Sequence, residues 1–121
     1  MLTEKGTLPI GVEYEGKTHK EFEIREQLVS DMISVFDDSA QAARAEKNNY
    51  YFSICILAKL IVSIGTIPTE AITVDLLLGM LQDDLNEIKQ AEARLDSKRK
   101  SFRGKPEKYT RSGNRPSENG V

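Results

Sequence analysis

The sequence predicts a mainly α-helical α+β domain, in which three to four helices follow a small N-terminal β-hairpin. Three observations lead to this class. Residues 7–26 alternate between apolar and polar side chains, which is typical of half-buried strands. Residues 49–65 are almost uncharged, and residues 73–100 repeat apolar side chains at helical spacing. We therefore expect residues 1–102 to form one domain.

Composition excludes several classes of protein. Hydrophobic residues make up 39% and charged residues 30% of the 121 residues, so the chain can bury one ordinary core. Its single cysteine, Cys55, cannot form an intrachain disulfide and is expected to pack as a small hydrophobe. Near the N-terminus no apolar run marks a secretory signal. The apolar run of residues 49–65 is shorter than the ~20 residues that span a bilayer, so we expect a cytoplasmic protein without membrane contact.

Charge is distributed unevenly along the chain. Residues 1–96 contain nine basic and seventeen acidic side chains, a net −8, whereas residues 97–121 contain eight basic and two acidic ones, a net +6. Residues 103–121 are also poor in apolar side chains, so we expect a disordered basic tail. Because Lys and Arg neutralise phosphates, an alternative function is a small nucleic-acid-binding regulator. Its contacts would be Lys98, Arg99, Lys100, Arg103, Lys105 and Lys108.

The β-hairpin is predicted over residues 7–26, with Gly16 supplying the positive φ of a tight turn. His19 lies near this turn without companions for a metal site, and we expect it to be exposed to solvent. Two short helices should follow, over residues 28–37 and 39–47. Ser39 is expected to cap the second helix. In the first helix, apolar side chains recur about four residues apart: Leu28, Val29, Met32, Ile33 and Phe36.

A buried central helix is predicted over residues 49–65, because its apolar side chains cover nearly every face. Asn49 should cap its start and Gly65 should end it in a left-handed turn. A single long helix is predicted over residues 73–100, with Thr73 as its N-cap and its last turns projecting beyond the domain. Its heptad-like seam permits self-association.

The residues present predict no enzyme and no cofactor. The carboxylate pairs Asp37–Asp38 and Asp83–Asp84 are adjacent on helices, so the two members of each pair point apart and are expected to be solvated. General acid–base chemistry instead requires carboxylates of perturbed pKa in a cleft. A glycine-rich phosphate loop followed by Lys-Ser or Lys-Thr is also absent from the sequence.

Several short segments resemble one protein family. Residues 8–18, Leu-Pro-Ile-Gly-Val-Glu-Tyr-Glu-Gly-Lys-Thr, lead into Phe-Glu-Ile-Arg-Glu at 22–26. This resembles the opening of the small tail assembly chaperones of Mu-like and P2-like contractile-tailed phages and prophages. Residues 57–65, Leu-Ala-Lys-Leu-Ile-Val-Ser-Ile-Gly, are similar to that family's Leu-Ala-x-Leu-Ile-x-x-Leu-Gly helix. Before the first helix, where family members often have a Pro and a Gly-Asp, only Asp31 matches.

The resemblance implies a non-enzymatic role in the bacterial host cytoplasm. Such chaperones bind the tape measure protein, keep it soluble, help to recruit tail tube protein and leave before the tail is finished. Many are also made in a longer, frameshifted form. Besides the nucleic-acid regulator, a structural subunit retained in the tail is an alternative.

An apolar groove between the central and long helices would suit an amphipathic partner helix. The residues expected to border this groove are Tyr51, Ile54, Leu77, Leu81, Leu85 and Ile88. The alternative is that these side chains simply pack against one another, which applies above all to Ile54, Leu77 and Leu81.

Overall fold

A computed structural model describes residues 1–103, which form a three-stranded antiparallel sheet and five α-helices. The elements are β1 (Thr3–Tyr14), β2 (Lys17–Arg25), α1 (Val29–Ser34), α2 (Ser39–Ala45), α3 (Asn49–Leu60), β3 (Ile61–Ile64), α4 (Val74–Leu78) and α5 (Gln82–Arg103). Two short 3-10 segments, Val35–Asp37 and Thr69–Ala71, follow α1 and precede α4. The predicted α+β class with a long C-terminal helix is confirmed, whereas the tail from residue 104 onward lies outside the described residues.

The predicted hairpin is present, and its first strand begins earlier than expected, at Thr3. Strand order in the sheet is β1-β2-β3, and Glu15 and Gly16 make the turn with positive φ. A large bulge interrupts β1, because Thr7 pairs with Glu21 and Val12 already pairs with His19. Four residues of β1 are therefore opposed by a single residue of β2, and at the bulge Gly11 adopts a φ of 104°, which suits glycine.

The predicted helix over 49–65 is too long, because α3 ends at Leu60 and the chain continues as β3. The segment Ile61–Ile64 pairs with β2, with Ile64 opposite Phe22. Three of its four residues are β-branched and fit a pleated strand well. Gly65 does take the expected left-handed conformation, at φ 53°, but it ends the strand. The N-cap of α3 is Asn48 rather than Asn49.

The predicted single helix over 73–100 is divided into α4 and α5. Thr73 is the expected N-cap, since its Oγ1 accepts a hydrogen bond from the Leu76 N–H at 3.3 Å. The helix then stops at Leu78, and Gly79 adopts a φ of −88° that any residue can reach. Glycine lowers helix propensity by about 1 kcal/mol, so Gly79 weakens the helix where the chain must turn onto the sheet.

The last turns of α5 do not project from the domain as far as predicted, because α5 lies along β1. Lys98 donates a 2.8 Å hydrogen bond to the Thr3 carbonyl, and both Lys98 and Arg94 form ion pairs with Glu4. Phe102, which follows Lys98 near the end of α5, is mostly exposed.

The predicted short helix over 28–37 is confirmed as α1 and its 3-10 extension, but its apolar side faces outward. Val35 and Asp31 are the buried residues of this segment, and Asp31 pairs with Arg25. The predicted helix over 39–47 is confirmed as α2, with Asp38 rather than Ser39 as its N-cap.

His19 is buried, contrary to expectation. Its Nδ1 accepts a hydrogen bond from the Thr66 N–H at 3.3 Å, and its ring meets the Tyr14 ring edge-on at a centroid distance of 6.5 Å. Gly65 packs directly against this imidazole, where an added Cβ would lie 2.4 Å from Nδ1. Gly65 and Thr66, which follow β3, therefore lie over β2 and cover the imidazole.

Candidate partner-binding groove

Three adjoining clefts lie between α3 and α5, and we call them together the α3–α5 groove. The first, of about 400 Å³, is lined by Ile54, Leu78 and Leu85; it shares Ser53, Ile54 and Lys89 with a second cleft of about 350 Å³. The second shares Gln27 and Glu92 with a third, also of about 350 Å³. Because neighbouring clefts share lining residues, they form one row of adjoining clefts. It follows α5 from Gln82 to Arg99, a helical rise of about 26 Å.

The structure distributes the six predicted groove residues over different surroundings. Ile54, Leu77 and Leu85 line the first cleft, although little of the Leu77 side chain is exposed. Ile88 is fully buried in the core, so its assignment to the groove border is wrong. Leu81 is exposed but lines a different cleft, of about 480 Å³, between the β1 bulge and α4.

Tyr51 is half-buried and does not line the groove, whereas its neighbour Tyr50 does. The Arg44 guanidinium lies 4.3 Å from the Tyr51 ring centroid, a cation–π contact that fixes this side chain against α2. The pKa of the Tyr51 hydroxyl is raised, chiefly by burial. Tyr51 therefore belongs to the packing between α2 and α3.

Sequence reasoning missed three residues at the apolar end of the groove, Tyr50, Leu78 and Met80. Tyr50 is 84% exposed and Leu78 is 45% exposed. Leu78 and Met80 lie at the break between α4 and α5, which a continuous helix over 73–100 would not have produced, whereas Tyr50 lies in the first turn of α3. The only sequence signal for that break was Gly79.

The groove is mainly apolar at one end, and along the rest of its length charged side chains stand among apolar ones. Lys89 and Glu92 stand at its centre, and Asp96 and Arg99 lie at the far end. Burial raises the pKa of Glu92, and the nearby Lys89 charge opposes this rise in part. A ligand would thus meet apolar side chains first and charges of both signs further along.

Asp84 fixes the wall of the groove to the sheet. Its carboxylate is fully buried and accepts hydrogen bonds from two successive backbone N–H groups of the bulge, Ile10 at 2.9 Å and Gly11 at 3.0 Å. The expectation that both Asp83 and Asp84 are solvated is therefore wrong for Asp84 and right for Asp83, which is exposed. Adjacent side chains on a helix do point apart, and here one of them points into the domain.

An ion pair holds α1 beside the polar end of the groove. The Arg25 guanidinium donates two hydrogen bonds to the Asp31 carboxylate, at 2.9 and 2.8 Å, and the Leu28 N–H donates a third at 2.7 Å. The hydrogen bonds from Arg25 hold the pKa of Asp31 below its usual value. Asp31 is the one residue of this segment that matched the family pattern, and its role is to join α1 to β2.

Half of the residues suggested for nucleic-acid contact already have protein partners. Lys98 binds Glu4 and the Thr3 carbonyl, while Arg99 and Lys100 both form ion pairs with Asp96. Arg103 ends α5, and Lys105 and Lys108 lie outside the described residues. Of these three residues, Lys98 joins α5 to β1, whereas Arg99 and Lys100 pair within α5 itself.

Other kinds of site receive no support from the part of the chain that the structure describes. Within residues 1–103 no three His, Cys, Asp or Glu side chains gather as metal ligands, and no helix is long and apolar enough to cross a bilayer. Comparisons with protein-family models, with curated proteins and with solved structures find no match.

Proposed function

We propose that this chain is a non-enzymatic tail assembly chaperone of the contractile-tailed phage type, which holds an amphipathic helix of the tape measure protein in the α3–α5 groove. The observation that carries this proposal is the row of adjoining clefts along about 26 Å of α5, a length that matches about five turns of a partner helix. The resemblance of residues 7–95 to that chaperone family supports it independently.

The groove suits a helix better than a compact ligand. Its apolar end offers Ile54, Leu78 and Leu85 to side chains spaced three or four residues apart on a partner. Its centre offers Lys89 and Glu92, which would form ion pairs with charged side chains on the polar flanks of the partner helix. Binding would remove the apolar stripe of the partner from water, while the net charge of −8 on residues 1–96 keeps the complex soluble.

The direct test is co-expression with the tape measure protein encoded by the same phage or prophage. We expect the wild-type chain to keep that protein in the soluble fraction and to co-purify with it. Overlapping tape measure peptides, titrated calorimetrically, then locate the bound segment. A tape measure protein that remains insoluble, with no peptide binding, would refute the proposed function.

A matched pair of leucines tests the site itself. Leu78→Glu places a charge in the groove, whereas Leu81→Glu places the same charge on an exposed leucine that faces the other cleft. Burying one leucine contributes about 1.5–3 kcal/mol, so Leu78→Glu should weaken peptide binding by at least about tenfold. Leu81→Glu should leave it unchanged, and the opposite ranking would assign the peptide to the cleft beside the bulge.

A further inference from the structure

The outward side of α1 carries a compact group of exposed apolar residues, which we call the α1 apolar face. Val29 is 77% exposed and Ile33 is 64% exposed, and the other three members are exposed by 43–45%. The members are Leu28, Val29, Met32, Ile33 and Phe36. Their spacing of i, i+1, i+4, i+5 and i+8 places them on one side of a helix.

The composition of this face points to a like surface as its partner. All five members are uncharged, and Asp31, the acidic residue between them in sequence, is turned into the domain and paired with Arg25. An uncharged apolar face suits an apolar partner surface, and a second copy of this chain presents the same face. Apolar patches of this kind on soluble proteins mark interaction sites.

The area of the face fits a weak dimer. With about 150–250 Å² for a full large side chain, the exposed fractions correspond to about 500 Å² of apolar surface. Two such faces would bury about 1,000 Å², which is just below the ~1,200 Å² at which stable specific interfaces begin. We therefore expect an association that depends on concentration in the micromolar range.

The charges at the two ends of α1 favour an antiparallel arrangement. Asp37 and Asp38 lie exposed at its C-terminal end. The positive charge of Lys59 acts on Asp31, which lies in the first turn of α1. An antiparallel pair of α1 helices brings the carboxylates of each copy towards the lysine of the other, whereas a parallel pair brings like charges together.

We propose that the α1 apolar face is the interface through which two copies of this chain associate, as an isologous antiparallel pair with Met32 near the two-fold axis. The α1 apolar face meets the α3–α5 groove at Phe36, whose ring stacks on Phe52 in the wall of the second cleft, with ring centroids 5.7 Å apart. The proposal does not depend on the proposed function. It differs from the self-association through α5 that the sequence suggested, because α5 is occupied by β1.

The full chain tests this by sedimentation equilibrium between about 10 µM and 1 mM. We expect the wild type to move from monomer towards dimer over this range. Ile33→Glu should raise the dissociation constant by at least about tenfold, while Leu81→Glu, an exposed leucine away from the face, should leave it unchanged. Circular dichroism should show that both variants remain folded, since both positions are exposed.

Cysteine cross-linking tests the orientation. Met32→Cys should form a disulfide-linked dimer on mild oxidation, and a mixture of Leu28→Cys with Phe36→Cys should yield more cross-linked pair than either variant alone. Cys55 is fully buried and should not compete. Three results would overturn the proposal: a wild type that is monomeric at 1 mM, an Ile33→Glu variant that dimerises normally, or a monomeric chain whose Ile33→Glu variant loses tape measure binding. The last result would assign the face to the tape measure protein.

Discussion

Removing the Asp84 carboxylate should be among the most destabilising single changes in this domain. The group is fully buried and satisfies two backbone N–H donors of the β1 bulge. Asp84→Ala removes the charged acceptor that both donors share, and each of the two hydrogen bonds contributes about 1–3 kcal/mol. The expected loss is therefore about 2–6 kcal/mol, against a total stability of about 5–15 kcal/mol for a domain.

Urea unfolding followed by circular dichroism measures this loss. With a slope of about 1–3 kcal/mol per molar urea, we expect Asp84→Ala to lower the midpoint by about 1–3 M. Asp84→Asn keeps one acceptor oxygen but turns an amide N–H₂ towards a backbone N–H, so its loss should be about half as large. Asp83→Ala, one residue away and exposed, is the matched control and should change stability by less than about 0.5 kcal/mol.

The same variants separate anchoring from simple packing. If Asp84 acts by tying α5 to the bulge, Asp84→Asn should also weaken groove binding, because the tie lies at the apolar end where Gln82 and Leu85 begin the wall. Equal urea midpoints for Asp84→Ala and Asp83→Ala would refute the reasoning, since they would show that the two hydrogen bonds to the Asp84 carboxylate do not stabilise the domain.

Four further predictions concern single residues elsewhere. The pKa of Asp31 is lowered, so its pair with Arg25 stabilises the fold fully above the unfolded pKa of about 4, and this stability is lost as the pH falls through the folded pKa. In thermal scans, the difference in stability between wild type and Asp31→Asn should therefore narrow below about pH 4. A difference that does not change with pH would contradict this. His19→Ala removes a buried acceptor and leaves a cavity beneath the loop, so it should cost about 2–4 kcal/mol in urea unfolding, with no change if the imidazole is in fact solvated. Burial raises the pKa of the Cys55 thiol, so labelling by a disulfide reagent at pH 8 should be slow until denaturant is added, and rapid labelling of the native protein would show that the core opens. Gly79→Ala should be neutral or stabilise by up to about 1 kcal/mol, because its φ is negative and an added Cβ meets nothing closer than 3.7 Å; a marked loss would mean that the turn requires glycine.

Local patterns in the sequence were sufficient for the elements whose signal is local. Alternation and Gly16 predicted the hairpin, and Thr73 predicted the start of α4. The end of α3 could not be predicted in this way, because the apolar, β-branched run of residues 61–64 suits a buried helix or a buried strand equally well. Only pairing with β2, some 40 residues earlier in the chain, decides between them.

The buried polar residues could not be predicted from sequence for a related reason. Asp84 was expected to be solvated as one of two adjacent helix carboxylates, and His19 as a residue near the hairpin turn. Their partners, the bulge N–H groups and Thr66, are 73, 74 and 47 residues away. The candidate site shows the same limit: Leu85 and Ile54 line the first cleft, whereas Ile88 lies in the core, because spacing alone does not show which side of α5 meets the sheet.

The groove exists because α5 is bound to the sheet at both of its ends. Asp84 ties its first turn to the bulge, and Arg94 and Lys98 tie its last turns to Glu4. Between these ties, the side of α5 that is buried carries Ile88, Ala91 and Leu95 towards the sheet. The opposite wall, α3, is held by α2 and α4 rather than by α5. Because the two walls are fixed by different neighbours, clefts remain between them. The bulge in β1 lies outside the groove, but it holds the first turn of α5 through Asp84 and so determines where the groove begins.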